Sequence, residues 1–120
     1  MKLLLTISII LASLSSDTKI EDITGNWGKG IAVVHYNAHF NKRNSLANLD
    51  KLSDTRVFNA WIDEHPELKE AGGIKSVPTI VLYKDGKEIR RWEAGISMKL
   101  SLSYRDIQSQ IDELTGANQF

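Results

Sequence analysis

The sequence predicts an α/β domain with a central mixed sheet of four to five strands flanked by helices. Three observations predict it. A β-rich run without polar alternation, residues 31–38 (IAVVHYNA), reads as a central strand covered on both faces. A strand–helix–strand order around it reads as a crossover unit. Further on, Asp85-Gly86 stands between two β-rich runs, a strong hairpin signal that adds antiparallel strands to the sheet.

The elements follow in order. Residues 3–14 (LLLTISIILASL) are apolar, follow Lys2 and end at the small pair Ser13 and Ser15. This run reads in two ways. Basic start, short apolar stretch and small-residue site make a secretory signal. Alternation of Leu5, Ile7 and Ile9 with Leu4, Thr6 and Ser8 makes a first strand. The run is shorter than the roughly 20 apolar residues of a membrane span, so no stable span is expected. Residues 1–16 are therefore set apart as an apolar N-terminal segment, and residues 17–120 as the domain.

Residues 17–23 read as a weak helix, and Gly25, Gly28 and Gly30 as a turn. After the central strand, Asn41 is placed to cap a helix running to about Leu52, with Leu46, Leu49 and Leu52 on one face. Residues 56–62 (RVFNAWI) form the next strand. Pro66 opens a short helix that Gly72 and Gly73 close. Residues 79–83 and 88–92 flank the hairpin turn. The last helix begins after Ser103, with Asp106 at the capping-box position, a stripe of Tyr104, Ile107, Ile111 and Leu114, and Gly116 as its stop. Ile96, Met98, Leu100 and Leu102 alternate with polar residues, as an edge strand or a partner contact would.

Composition excludes whole classes of function. The 120 residues hold 15 basic and 15 acidic side chains and no cysteine. A balanced charge gives no reason to expect nucleic acid, which attracts basic surfaces. Without cysteine there is no thiolate nucleophile, disulfide or thiolate metal site. His35 and His39 are four apart, but on a strand and its exit rather than on a helix, so they do not share a face as a helical metal pair would, and no metal is expected. No phosphate-binding glycine loop is present, and no cofactor is expected. Trp27, Trp61 and Trp92 read as core or half-buried rather than as a ligand platform.

Two motifs carry a family resemblance. Ile74-Lys75-Ser76-Val77-Pro78-Thr79, followed by a strand and Lys84-Asp85-Gly86, resembles the loop of the thioredoxin family whose proline is cis and borders the active site. Ile62-Asp63-Glu64-His65-Pro66-Glu67-Leu68 is similar to the strand end and helix start that precede that loop. The match runs from about Val57 to Gly95 and implies a thioredoxin-like three-layer fold. Carried upstream, it places Tyr36-Asn37-Ala38-His39-Phe40 at the approach to the active site and Asn41-Lys42-Arg43-Asn44 where the family has Cys-Gly-Pro-Cys. Asn41 and Asn44 then replace both cysteines. The resemblance also puts His35 in place of a buried proton-shuttling Asp, and Asn59 in place of its partner Lys.

An amide cannot attack a disulfide sulfur, so no enzyme activity is expected. A glutathione transferase would bring a second, helical domain for which the chain has no room. The resemblance implies instead a binding groove formed by Phe40, Asn41, Lys42, Arg43, Asn44, Val77 and Pro78, where an extended segment can pair with backbone groups. Lys42 and Arg43 are solvated charge or, if their helix forms, an anion site. The function expected is a redox-inactive protein-binding or structural subunit of a larger assembly, such as a bacteriophage virion, if Met1 is retained. The alternative is an exported, chaperone-like relative, periplasmic or secreted, if residues 1–15 are a cleaved signal.

Overall fold

The computed structural model describes residues 27–116. The apolar run at residues 3–14, the weak helix at 17–23 and Gly25 lie outside the described residues. Among the described residues four strands form one sheet: β1 (Ile31–Asn37), β2 (Arg56–Trp61), β3 (Thr79–Lys84) and β4 (Lys87–Glu93), in the order β2-β1-β3-β4. β1 pairs parallel with β2 and antiparallel with β3, and β3 pairs antiparallel with β4. The helices are α1 (Pro66–Gly72) and α2 (Tyr104–Thr115). The mixed sheet is the one predicted.

The lack of polar alternation in β1 has the expected cause: both of its faces are covered. Ala32, Val34 and Tyr36 enter one apolar cluster with Trp27, Phe58, Leu68 of α1, Val77 and Tyr83. Val33 enters the other with Leu49, Ile80, Leu82 and the α2 residues Ile107 and Ile111. Three layers result, as predicted, with β1 and β3 at the centre.

Local chemistry fixes the connections. Asp85 and Gly86 both have positive φ, 53° and 82°, which fits the right-handed twist of the flanking strands. Ser103 caps α2 by accepting from the Arg105 N–H at 3.1 Å, while the Asp106 carboxylate accepts from the Ser103 N–H at 2.9 Å. Gly73, left-handed at φ 61°, ends α1. The carbonyls of Gly72 and Gly73 accept from the Arg91 guanidinium of β4 at 2.6 and 2.9 Å, a cation at the negative end of a helix that the sequence did not announce.

Two expectations are corrected. No α-helix spans residues 41–52. A 3-10 helix covers His39–Asn44, kinked at Asn41, and a second covers Leu49–Lys51 after Asn48 in the left-handed region at φ 67°. Asn41 therefore caps no helix; it lies inside the first 3-10 segment, where Ala38 holds the cap position. The second correction concerns residues 96–102, which are not a strand. Leu100 and Leu102 pack on the α2-side cluster and Met98 on the α1-side cluster, while Ile96 points out fully exposed. The alternation reflects a loop laid across the end of the sheet.

Candidate functional site

The topology gathers the site. Because β1, β2 and β4 run one way and β3 the other, the ends of β1, β2 and β4 and the start of β3 share one end of the sheet. The segments 38–45, 62–65, 73–78 and 94–99 meet there.

At its centre is a network of amides. The Asn44 Nδ2 donates to Asn41 Oδ1 at 2.7 Å. Asn41 Nδ2 donates to Asn37 Oδ1 at 3.3 Å and to the Met98 carbonyl at 3.1 Å. Asn37 Nδ2 donates to the Asn41 carbonyl at 3.2 Å and to Ser45 Oγ at 3.1 Å. Asn37 and Asn41 are almost wholly buried, and buried amides of this kind need these partners. The two asparagines that the resemblance sets at the cysteine positions are thus joined by a hydrogen bond. Asn37, Ser45 and Met98 belong to the same network and were missed from the sequence, because only the tertiary fold brings the Met98 carbonyl to Asn41.

The other predicted residues divide by exposure. Phe40 is 72% exposed, Lys42 and Arg43 are exposed, and Asn44 is half-buried. Val77 and Pro78 are buried. The Val77–Pro78 bond is cis, and the Pro78 carbonyl accepts from the Ala94 N–H at 3.2 Å. Segment 94–98 therefore ties the Pro78 turn at one end to the Asn41 network at the other. Among the described residues no hydrogen bond engages the Val77 backbone N–H or carbonyl.

Two histidines flank the network in different states. His35 is buried in β1 opposite Asn59 of β2. Its Nδ1 meets Asn59 Oδ1 at 3.1 Å, and its Nε2 accepts from the Leu46 N–H at 3.4 Å. Only the neutral ring, with its proton on Nδ1, satisfies both. Burial holds its pKa below the ordinary histidine value, against the smaller opposing pull of the Asn59 hydrogen bond. His39 lies at the surface, stacked on Trp61 with ring centres 4.2 Å apart, and contacts Asp63 Oδ2 at 2.9 Å and Glu64 Oε2 at 3.5 Å. Among the described residues no group of three or more histidines and carboxylates is placed to hold a metal ion. A recess between β4 and α2, lined by Arg90, Trp92, Leu102, Asp106, Ser109 and Gln110, shares no residue with the predicted groove.

A mixed β2-β1-β3-β4 sheet with helices on both faces and a cis-proline turn facing the end of β1 defines a thioredoxin-fold domain. Solved structures of that fold overlay on the chain. A mutant thioredoxin from Halobacterium salinarum aligns with TM-score 0.59 and 16% identity, covering 80% of this chain and 85% of the other. The thioredoxin of Fasciola hepatica aligns with TM-score 0.53 and 22% identity, over 75% and 88% of the two chains. In sequence the chain is 53% identical over 41 residues to a thioredoxin of Chlamydia caviae, and 38% identical over 53 residues to one of Rickettsia bellii. These matches cover 34% and 44% of this chain and 40% and 50% of those relatives, so the chain spans half or less of the curated relatives it matches. No family model matches. The protein is thioredoxin-like, a divergent and cysteine-free relative of the thioredoxins.

Restoring the thiols tests the placement of Asn41 and Asn44. Because their side chains meet at 2.7 Å, Asn41→Cys with Asn44→Cys should form an intramolecular disulfide under mild oxidation, read as the loss of two free thiols without dimerisation. A folded double variant that stays reduced, judged by circular dichroism and thiol titration, would refute the placement.

Proposed function

We propose that this domain binds extended polypeptide at the end of the sheet without thiol chemistry, as an adaptor or building block of a larger assembly such as a virion. The observation that carries the reading is the Asn41–Asn44 hydrogen bond, which joins two groups that do not ionise at the positions where the resemblance sets a redox pair. Around it stand features that suit binding: exposed Phe40, and the Val77 backbone groups that a passing strand would pair with. The apolar run at residues 3–14 supports a second reading, an exported chaperone-like relative using the same surface. Intact mass separates the two, since processing leaves an N-terminus near Ser16 and the first reading keeps Met1.

Two measurements test the shared core. The pure protein should show no insulin-reduction or disulfide-isomerase activity, and turnover above the blank would overturn the thiol-free mechanism. A pool of extended peptides titrated onto 15N-labelled protein should shift the amide signals of Phe40, Asn44 and Val77. Silence at those signals across the whole pool would overturn the binding role.

A further inference from the structure

We infer that the groove selects acidic segments carrying an apolar side chain, an inference that rests on the binding role proposed above. Two of the three large apolar residues that stand exposed among the described ones, Phe40 and Ile96, lie at this end of the sheet. They flank one bridge: Phe40 adjoins Asn41, Ile96 lies two residues before Met98, and Asn41 Nδ2 bonds the Met98 carbonyl at 3.1 Å. Each thus stands within two residues of one end of that bond.

The charges around them are asymmetric in their pairing. Lys42 and Arg43 follow Asn41, Lys99 follows Met98, and Lys75 precedes the Pro78 turn; all four are exposed. Among the described residues none of the four enters an ion pair. Three carboxylates of the same end are already engaged within the chain. Asp63 Oδ2 is hydrogen-bonded to His39, Glu64 lies 3.5 Å from the same ring, and Glu93 pairs with Arg91. The two others, Glu67 and Glu70, lie on α1 with Lys69 between them. The cations beside Phe40 and Ile96 are thus left for an anionic partner. Carboxylates flanking an apolar anchor complement them, whereas a basic segment meets like charge.

The test uses fluorescein-labelled dodecapeptides with one central Leu, flanked by Asp and Glu, by Ser, or by Lys. Fluorescence anisotropy should show the acidic peptide binding most tightly, and its affinity should fall as NaCl rises from about 0.05 to about 0.5 M, because screening acts over roughly 5–15 Å in that range. Lys42→Glu with Arg43→Glu should weaken the acidic peptide about tenfold or more and spare the Ser peptide; an unchanged circular dichroism spectrum confirms the fold. If the Ser peptide binds as tightly as the acidic one, or the reversed-charge variant binds unchanged, the acidic preference is wrong while the groove stands. If no peptide of any charge binds, the groove itself is wrong. A peptide-free dimer dispersed by Phe40→Ser would replace the acidic segment with a second copy of this chain.

Discussion

Trp27→Ala should remove about 3–5 kcal/mol of stability, the range for losing a fully buried aromatic side chain. Trp27 precedes the first described strand and belongs to no helix or strand, yet none of it is exposed. Its ring lies 5.0 Å from Phe58, 6.2 Å from Tyr83 and, edge-on, 6.4 Å from Tyr36, centre to centre. Its Nε1–H donates to Tyr36 Oη at 3.2 Å, and Tyr36 shares a 2.8 Å hydrogen bond with Tyr83. Burial raises the pKa of both tyrosines, which keeps them neutral donors and acceptors inside the α1-side core. Alanine leaves a void with three aromatic walls, although the Tyr36–Tyr83 bond survives. Domains of this size are stable by about 5–15 kcal/mol, so the loss is a large part of the whole. Trp27→Phe should cost visibly less, since it keeps most of the ring contacts and gives up one hydrogen bond. Urea unfolding followed by far-ultraviolet circular dichroism measures both. A loss below about 1 kcal/mol for the alanine variant would mean that Trp27 is not the keystone its packing describes.

How far the sequence foretells this molecule depends on the range of the interaction. β1, the Asp85-Gly86 turn and the Ser103–Asp106 cap were legible because each is decided within a few residues. The helix expected at 41–52 failed for an equally local reason. Leu46, Leu49 and Leu52 recur every third residue, a spacing that suits 3-10 geometry as well as an α-helical face. Asn44, Ser45 and Asn48 are residue types that disfavour a helix interior, and here Asn44 and Ser45 spend their side chains on Asn41 and Asn37. The structure resolves the tie with two 3-10 turns broken at left-handed Asn48, which still buries Leu49 and half-buries Leu46 and Leu52 against the α2-side cluster. The positions of Asn41 and Asn44 came from the resemblance. Their bond to each other, and the ties to Asn37, Ser45 and the Met98 carbonyl, needed the fold. Likewise the resemblance marked His35 and Asn59 as the substituted members of one pair, and the β1–β2 register shows how they meet, side by side and joined by a hydrogen bond.

That partnership should make the domain acid-sensitive. His35 is neutral in the folded state, donating from Nδ1 to Asn59 and accepting at Nε2 from the Leu46 N–H. Protonation would place a second N–H at Nε2 against that donor and bury a charge, and burial accordingly holds the folded pKa below the ordinary histidine value of about 6.5. The sign follows from linkage. Below the unfolded pKa the unfolded chain binds a proton that the folded chain does not, so stability is full above about pH 6.5 and falls as the pH drops through the folded value. The fall can reach at most about 1.4 kcal/mol per pH unit from one such group. It should also be felt at the candidate groove, because Leu46 adjoins Ser45, which accepts from Asn37 in the amide network. Urea unfolding at intervals from about pH 7.5 to about pH 5 reads the slope. His35→Gln keeps a donor and an acceptor but does not titrate, so it should lose stability uniformly and flatten the curve relative to the parent. Every other ionisable group is common to both proteins and cancels in that comparison. If the two proteins show the same slope between about pH 6.5 and pH 5, His35 is not the group that couples this fold to protons, and the neutral tautomer argued from its two hydrogen bonds is wrong.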